Sequence, residues 1–193
     1  PELAPYTWGC LQRFRGGRAI FTQPPPPLKC AGAPQKITYL AAEHARRYGH
    51  AVDSECHFYS GAGALFRVPD FVPHLQRVAA RYGTGIHLSH DLVAVDGPKR
   101  LARFRTRDGK GNDHEVERPF DLLHVNPIQT APDFIRAALA NADGWVDVDP
   151  ATTRHNRFGN LFALGDASSL PTSKTAVAVR KQAPVSARNV TAF

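Results

Sequence analysis

Strand-like and helix-like segments alternate through the first half of the chain, and this order constrains the fold most. Residues 17–22 form a short apolar run before a proline-rich loop, and residues 34–48 follow with apolar side chains at helical spacing. The order then repeats, with alternating residues 51–60 before the helical segment 69–83. Strands and helices in this alternation predict βαβ units and a parallel sheet.

The second half changes character. Residues 84–96 are predicted as one strand and residues 100–120 as a hairpin, because the segment "DGKGND" at its centre has turn chemistry. Further strands are predicted at 122–125, 144–150 and 160–166, and the helix after them has Thr172 or Ser173 as its candidate cap. The predicted fold class is therefore α/β: a Rossmann-like βαβ parallel sheet with an antiparallel β-ribbon, of the FAD/NAD(P)-binding domain type and partial.

Composition limits the function classes. The formal net charge of +7 is spread along the 193 residues rather than clustered, so we interpret it as a solvated surface and predict no nucleic-acid partner. The three cysteines form no CxxC pair, and His87 and His90 are expected on opposite faces of one strand, so we predict no metal site. The chain lacks methionine and begins with Pro1, so we expect it to be a piece of a longer protein. We expect this piece to be soluble.

Cys30 lies in the first predicted strand-to-helix turn, where dinucleotide-binding folds carry a glycine-rich phosphate loop. Only Gly32 is present there, and the second turn has Gly61 and Gly63 without a third glycine. We therefore predict that this domain keeps the fold without cradling a dinucleotide. The following helix N-terminus and the neighbouring Lys29 and Lys36 are expected to favour the nucleophilic thiolate of Cys30.

A second candidate site follows the apolar run 160–164, which ends in Gly165 and Asp166. A central parallel strand would deliver this carboxylate to the carboxyl edge of its sheet, where α/β folds bind ligands. A carboxylate there can accept hydrogen bonds from the hydroxyl groups of a sugar or polyol.

The segments "KCAGAPQK" and "GDASSLPTSKT", with "DLLHVNPIQTAPDF" and "GWVDVDPATTRHNRFGN" between them, resemble the sulfide:quinone oxidoreductases in the same order. These are flavoproteins of the two-dinucleotide-domain disulfide reductase class, related to flavocytochrome c sulfide dehydrogenases. The resemblance implies a central nicotinamide-domain-like α/β domain over 1–119 and the carboxyl-terminal part of an FAD-binding domain over 120–193. An amino-terminal GxGxxG unit and a carboxyl-terminal membrane and quinone region of the family are absent here.

The resemblance also implies the chemistry. Cys30 becomes the catalytic redox cysteine that accepts sulfide sulfur, and electrons pass through FAD to a quinone. The implied cofactor-binding residues are Pro127, Asp133, Gly165, Asp166 and Lys174. The isolated piece is expected to be inactive and to hold FAD poorly. The complete protein is expected to attach peripherally to a membrane, on a bacterial cytoplasmic or periplasmic face, and a homo-oligomer is left open.

One departure leaves the substrate open. The resembled family carries a second cysteine in the loop after Gly-Asp, whereas this chain has Ala167 and Ser168 there. Cys10, in a predicted helix, and Cys56, on a buried strand face, are poor substitutes. Two alternatives therefore remain: an FAD-dependent oxidoreductase with another donor or acceptor, and a non-catalytic α/β module whose charge serves an anionic partner.

Overall fold

The computed structural model of the protein describes residues 3–192 and divides them into two compact units. Unit 1 takes the described residues of Pro1–Pro26 together with Ala31–Pro127. Unit 2 takes Pro27–Cys30 together with the described residues of Ile128–Phe193, so that Cys30 and Asp166 belong to the same unit. The assignment of residues 1–119 and 120–193 to two functional domains stays a prediction.

The helices and strands alternate along unit 1 and become sparse in unit 2. In chain order they are α1 (Ala4–Arg13), β1 (Gly17–Gln23), α2 (Gly32–Arg47), β2 (Ser54–Ser60), a 3₁₀ turn (Pro69–Phe71), α3 (Val72–Arg81), β3 (Gly85–His87), β4 (Asp91–Asp96), β5 (Leu101–Arg107), β6 (Asp113–Pro119), β7 (Leu122–His124), α4 (Asp133–Leu139), a 3₁₀ turn (Gly165–Ala167) and α5 (Ala176–Thr191).

Unit 1 contains the predicted parallel sheet, with strand order β3-β2-β1-β7 and every neighbouring pair parallel. Its core lies on both faces of β1. Phe21 packs with Leu11 of α1 and Ala41 of α2, whereas Ile20 packs with Phe104 of the ribbon. Because both faces are covered, the burial along β1 is continuous from residue 19 to residue 23.

The ribbon is the predicted antiparallel hairpin of β5 and β6, to which β4 adds a third strand. The prediction of one strand over 84–96 is wrong, because Ser89 has a φ of +55° and interrupts the extended conformation between β3 and β4. This turn also corrects the placement of two histidines. His87 stacks on the Tyr59 ring at 4.1 Å between centroids and His90 meets the same ring edge-on at 5.6 Å, so they do not lie on opposite faces.

Unit 2 lacks the strands that the sequence predicts for it. Residues 144–150 and 160–166 form isolated bridges, in which Val146 pairs with Ala140 and Ser168, and Phe162 pairs with Arg154. An apolar run becomes a strand only where a neighbouring strand accepts its ladder of hydrogen bonds, and the described part of unit 2 supplies single-residue partners instead. Val148 and Leu170 pack with Val146 in a small core.

A proline loop covers the carboxyl ends of β1 and β2 in unit 1. Gly61 donates its N–H to the Gln23 carbonyl oxygen at 2.9 Å, and a Cβ at position 61 would lie 2.6 Å from Cδ of Pro25. Gly61 therefore allows the close approach of the proline loop. This loop follows β1, where a dinucleotide-binding fold has its phosphate-binding turn. A Cβ at Gly63 would meet only the Ser89 hydroxyl oxygen, at 3.7 Å.

We predict that Gly61→Ala destabilises the protein by about 1–3 kcal/mol, because the new methyl group overlaps the Pro25 ring. The matched variant Gly63→Ala should stay within about 0.5 kcal/mol of the parent. Urea unfolding followed by circular dichroism measures both. Equal effects of the two substitutions would contradict this account of the turn.

Candidate functional site

Cys30 is exposed and is held in an unusual backbone conformation. Its φ is +50°, in the left-handed region that costs a non-glycine residue about 1 kcal/mol or more. Its N–H donates to the Lys174 carbonyl oxygen at 2.8 Å, and the preceding residue, Lys29, forms a parallel bridge with Lys174. The Lys29 N–H donates to Oε1 of Gln129 at 2.6 Å. These contacts fasten the thiol-bearing segment within unit 2.

Lys174 lies under this segment and is 7% exposed. Its Nζ donates to the Ser168 carbonyl oxygen and lies 4.2 Å from the centroid of the Trp145 ring. Burial lowers the pKa of Lys174, the nearby Asp166 carboxylate opposes that shift, and the Lys29 charge adds to it. The Lys174 ammonium thus interacts with groups of unit 2 itself. The predicted contact of Lys174 with a flavin stays a prediction.

Trp145 is the site residue that the sequence reasoning missed. It is 4% exposed, and a second ammonium, that of Lys29, lies 6.0 Å from its ring centroid. Two cations near one aromatic face form a cation–π arrangement that stabilises both lysines beside Cys30. The only signal in the sequence was a tryptophan in a predicted strand, and that pattern indicates a core residue rather than a partner for lysines.

Gly165 and Asp166 form a 3₁₀ turn rather than the end of a strand. Gly165 has a φ of +69°, and a Cβ there would lie 2.8 Å from Cγ2 of Val179, so the turn packs closely on α5. Its N–H donates to Oε1 of Gln182 at 2.8 Å. This anchoring leaves the Asp166 carboxylate exposed on the turn, where it can accept hydrogen bonds from hydroxyl groups.

The other two predicted cofactor contacts lie apart in the chain. Asp133 is the first residue of α4, is exposed, and forms an ion pair with Arg136. Pro127 is exposed and is the last residue of unit 1. The structure thus brings Cys30 and Lys174 into direct contact in unit 2. The same unit contains the Gly165 turn and Asp133.

The residues of unit 2 fit part of an FAD molecule. The exposed Asp166 suits the polyol or sugar hydroxyls of the cofactor, and its turn is rigidly held through Gly165. The Lys174 ammonium is not available to a ligand, because it already donates to the Ser168 carbonyl oxygen and lies against the Trp145 ring. The fit therefore rests on Asp166 and on the backbone of the Gly165 turn.

The remaining cysteines lie in unit 1. Burial raises the pKa of the Cys56 thiol to about 12, so it stays protonated near neutral pH. Cys10 lies in α1, where the Arg13 guanidinium is 3.7 Å from its Sγ. In the loop after Asp166, the Ala167 carbonyl oxygen accepts the Val146 N–H at 2.8 Å. Over residues 3–192 no group of three or more His, Cys, Asp or Glu side chains is arranged to hold a metal.

Comparison with solved structures tests the predicted fold. The chain matches a chain of the Tetrahymena thermophila mitochondrial ATP synthase with a TM-score of 0.70 and 21% identity, over 94% of this chain and 44% of that one. It matches the sulfide:quinone oxidoreductase of Aquifex aeolicus with a TM-score of 0.65 and 16% identity, over 88% and 39%. The thioredoxin reductase of T. acidophilum gives 0.62 and 12%, over 96% and 55%. These likenesses confirm the predicted fold class, an α/β fold of the FAD/NAD(P)-binding domain type.

Comparison of sequences finds relatives at higher identity. The chain is 39% identical over 180 residues to the mitochondrial sulfide:quinone oxidoreductase of Mus musculus, covering 93% of this chain and 40% of that protein. It is 41% identical over 194 residues to the Schizosaccharomyces pombe enzyme of the same name, covering 98% and 41%. No family model matches the chain. The chain is thus a homologue of sulfide:quinone oxidoreductases and spans about 40% of their length.

The relatives also bear on location. Both are named as mitochondrial proteins, so the expected bacterial membrane face finds no support among them. Within residues 3–192, no helix combines the length and the apolar character needed to cross a membrane.

The cap of α5 gives a test of how the loop before it is held. The sequence offered Thr172 or Ser173 as the cap, but the Thr175 hydroxyl oxygen accepts the Ala178 N–H at 3.2 Å. We predict that Thr175→Ala lowers the free energy of unfolding by about 1 kcal/mol, because the first turn of α5 loses its acceptor.

The matched variant Ser173→Ala removes the same hydroxyl group from an exposed position and should stay within about 0.5 kcal/mol of the parent. Thermal or urea unfolding distinguishes the two. A larger loss at Ser173 would show that the cap lies at the sequence-predicted position.

Proposed function

We propose that this chain forms part of an FAD-dependent sulfide:quinone oxidoreductase in which Cys30 accepts the sulfur of sulfide. The 39–41% identity to two enzymes of that name, over more than nine-tenths of this chain, supports the proposal most. The structure adds that Cys30 is the exposed thiol among the three and that its segment is fastened beside two lysines. The domain roles of 1–119 and 120–193 are proposed as the sequence predicted them.

The proposed sulfur chemistry is a two-electron oxidation at Cys30. The thiolate of Cys30 and hydrosulfide form an S–S bond, which gives a cysteine persulfide and releases one proton and two electrons. Bound FAD supplies the two-electron acceptor for this step, and a quinone takes the electrons onward. A later nucleophile, such as a second hydrosulfide, breaks the S–S bond and regenerates the thiolate.

The side chains around Cys30 have separate roles in this proposal. Lys29 provides positive charge near the anionic sulfur species, and Trp145 holds the ammonium groups of Lys29 and Lys174 in place. The backbone carbonyl of Lys174 accepts the N–H of Cys30 and so holds the segment that carries the exposed thiol. Lys174 therefore acts as a positioning residue through both its main chain and its side chain.

Asp166 is the residue of unit 2 proposed to hold FAD, by accepting hydrogen bonds from hydroxyl groups of the cofactor. Gly165 is proposed to present it, since Gln182 and Val179 fix the turn. Pro127 and Asp133 are proposed as further contacts on the strength of the family resemblance alone. Peripheral membrane attachment and a homo-oligomer belong to the proposal for the complete protein in the same way.

Ala167 favours one alternative. The resembled family uses a second thiol at this place, and here a methyl group replaces it. A flavoprotein of the same build that oxidises another donor, or reduces another acceptor, would not need that thiol. This alternative shares the fold and the FAD and differs in the substrate.

The test is an anaerobic titration of the full-length, FAD-loaded protein with sulfide, followed by flavin absorbance. We predict stoichiometric bleaching in the parent and its loss in Cys30→Ser, because the variant has no thiolate to receive sulfur at that position. Cys56→Ser is the matched control and should bleach as the parent does, since the Cys56 thiol is buried and protonated.

The outcomes distinguish the proposed sulfide oxidation at Cys30 from its alternatives. Bleaching that persists in Cys30→Ser would refute the assigned role of Cys30 while keeping the flavoprotein. A parent flavin that ignores sulfide but is reduced by another donor would establish the alternative. A full-length protein that binds no FAD would overturn the proposal as a whole.

A further inference from the structure

Two histidines in unit 1 face each other across neighbouring strands, far along the chain from Cys30. His57 lies in β2 and His87 in β3, and the Nδ1 of His57 is 3.1 Å from the Nε2 of His87. The parallel register pairs His57 with Gly85 and Tyr59 with His87, so the two rings meet on a diagonal over the glycine. From the sequence, His87 and His90 were expected on opposite faces, no metal site was predicted, and the pair of His57 and His87 was not considered.

Gly85 makes the arrangement possible. A Cβ at position 85 would lie 2.6 Å from Nδ1 of His57 and 3.3 Å from Nε2 of His87. Any larger residue would therefore overlap the space that the His57 ring already occupies. The absence of a side chain at position 85 lets the two imidazole rings approach each other.

The surroundings fix both rings. Nε2 of His57 lies 3.5 Å from a carboxylate oxygen of Glu55, which Arg18 holds at 2.9 Å. A carboxylate on that side places the ring proton on Nε2 and leaves the Nδ1 lone pair facing His87. On the other side His87 stacks on Tyr59, and Tyr59 stacks on Phe104 at 4.3 Å between centroids.

We propose that His57 and His87 form a two-imidazole site for a divalent transition-metal ion such as Zn²⁺, with water completing the coordination shell. Zn–N bonds of about 2.0–2.1 Å in tetrahedral geometry separate two ligand nitrogens by roughly 3.3 Å, close to the 3.1 Å found here. Imidazole suits Zn²⁺, Cu²⁺ and Ni²⁺. The His57 side chain is 24% exposed, so water and the ion reach the site from solvent.

The groups around the pair differ in their effect on a bound cation. The third histidine of the cluster, His90, has its Nδ1 engaged with the Leu88 carbonyl oxygen at 2.7 Å. The positive charge of Arg118, which lies near enough to act on His87, works against a cation, and the Glu55 carboxylate beside His57 works for it.

The experiment is calorimetric titration of the purified chain with Zn²⁺ at pH 7, in a Cys30→Ser background that removes the exposed thiol. We expect one ion per chain in this background. His57→Gln and His87→Gln should each weaken binding at least about tenfold, and Glu55→Gln should also weaken it, by about tenfold. The matched control is His90→Gln, which removes a neighbouring imidazole and should bind as the background does.

Gly85→Ala keeps both imidazoles and places a methyl group between them, so it should also weaken binding. Circular dichroism of each variant confirms that it folds, and His57→Gln carries the test if His87→Gln does not fold. The absence of Zn²⁺ binding in the background protein would reduce the pair to a hydrogen bond and overturn the proposal. Unchanged affinity in His57→Gln and His87→Gln, or equal loss in His90→Gln, would overturn it as well.

Discussion

The short hydrogen bond from the Cys30 N–H to the Lys174 carbonyl oxygen is the interaction on which the proposed site depends. It takes four residues, Pro27–Cys30, out of the βαβ sequence that surrounds them and makes them part of unit 2. The bond also helps hold Cys30 at positive φ, a conformation that its own side chain disfavours. Without this hydrogen bond, the Cys30 segment would be an ordinary strand-to-helix connection, and its position relative to the Gly165 turn would not be fixed.

The buried Lys174 gives this anchor its stability and its electrostatic character. A buried ammonium is costly unless it is paired, and here the Ser168 carbonyl oxygen and the Trp145 ring receive it. The same contacts direct the charge into unit 2 rather than outward, so the role of Lys174 is to position the Cys30 segment. Of the three cysteines, Cys30 is the exposed one, and this arrangement holds its segment in place.

The sequence predicted those parts of the fold whose signals are local. Residues 34–48 gave the helix, "DGKGND" gave the hairpin turn, and the alternation of strands and helices gave the parallel sheet. The apolar run 160–164 was wrongly predicted as a strand, because a strand needs partners that this chain does not supply there. Trp145 and the His57–His87 pair could not be predicted, since their partners meet only after folding. Cys30 was found through its motif, whereas its tie to Lys174 needed the structure.

The most direct test of the assignment of Cys30 is the rate at which each thiol of the native protein is alkylated, measured for every cysteine separately by mass spectrometry. We predict that Cys30 reacts fastest, because it is exposed and lies beside Lys29. We predict that Cys56 reacts slowest, because burial raises its pKa to about 12. Reaction of Cys56 or Cys10 as fast as Cys30 would contradict the assignment of Cys30 as the presented thiol. Slow reaction of all three would contradict the exposed, anchored segment itself.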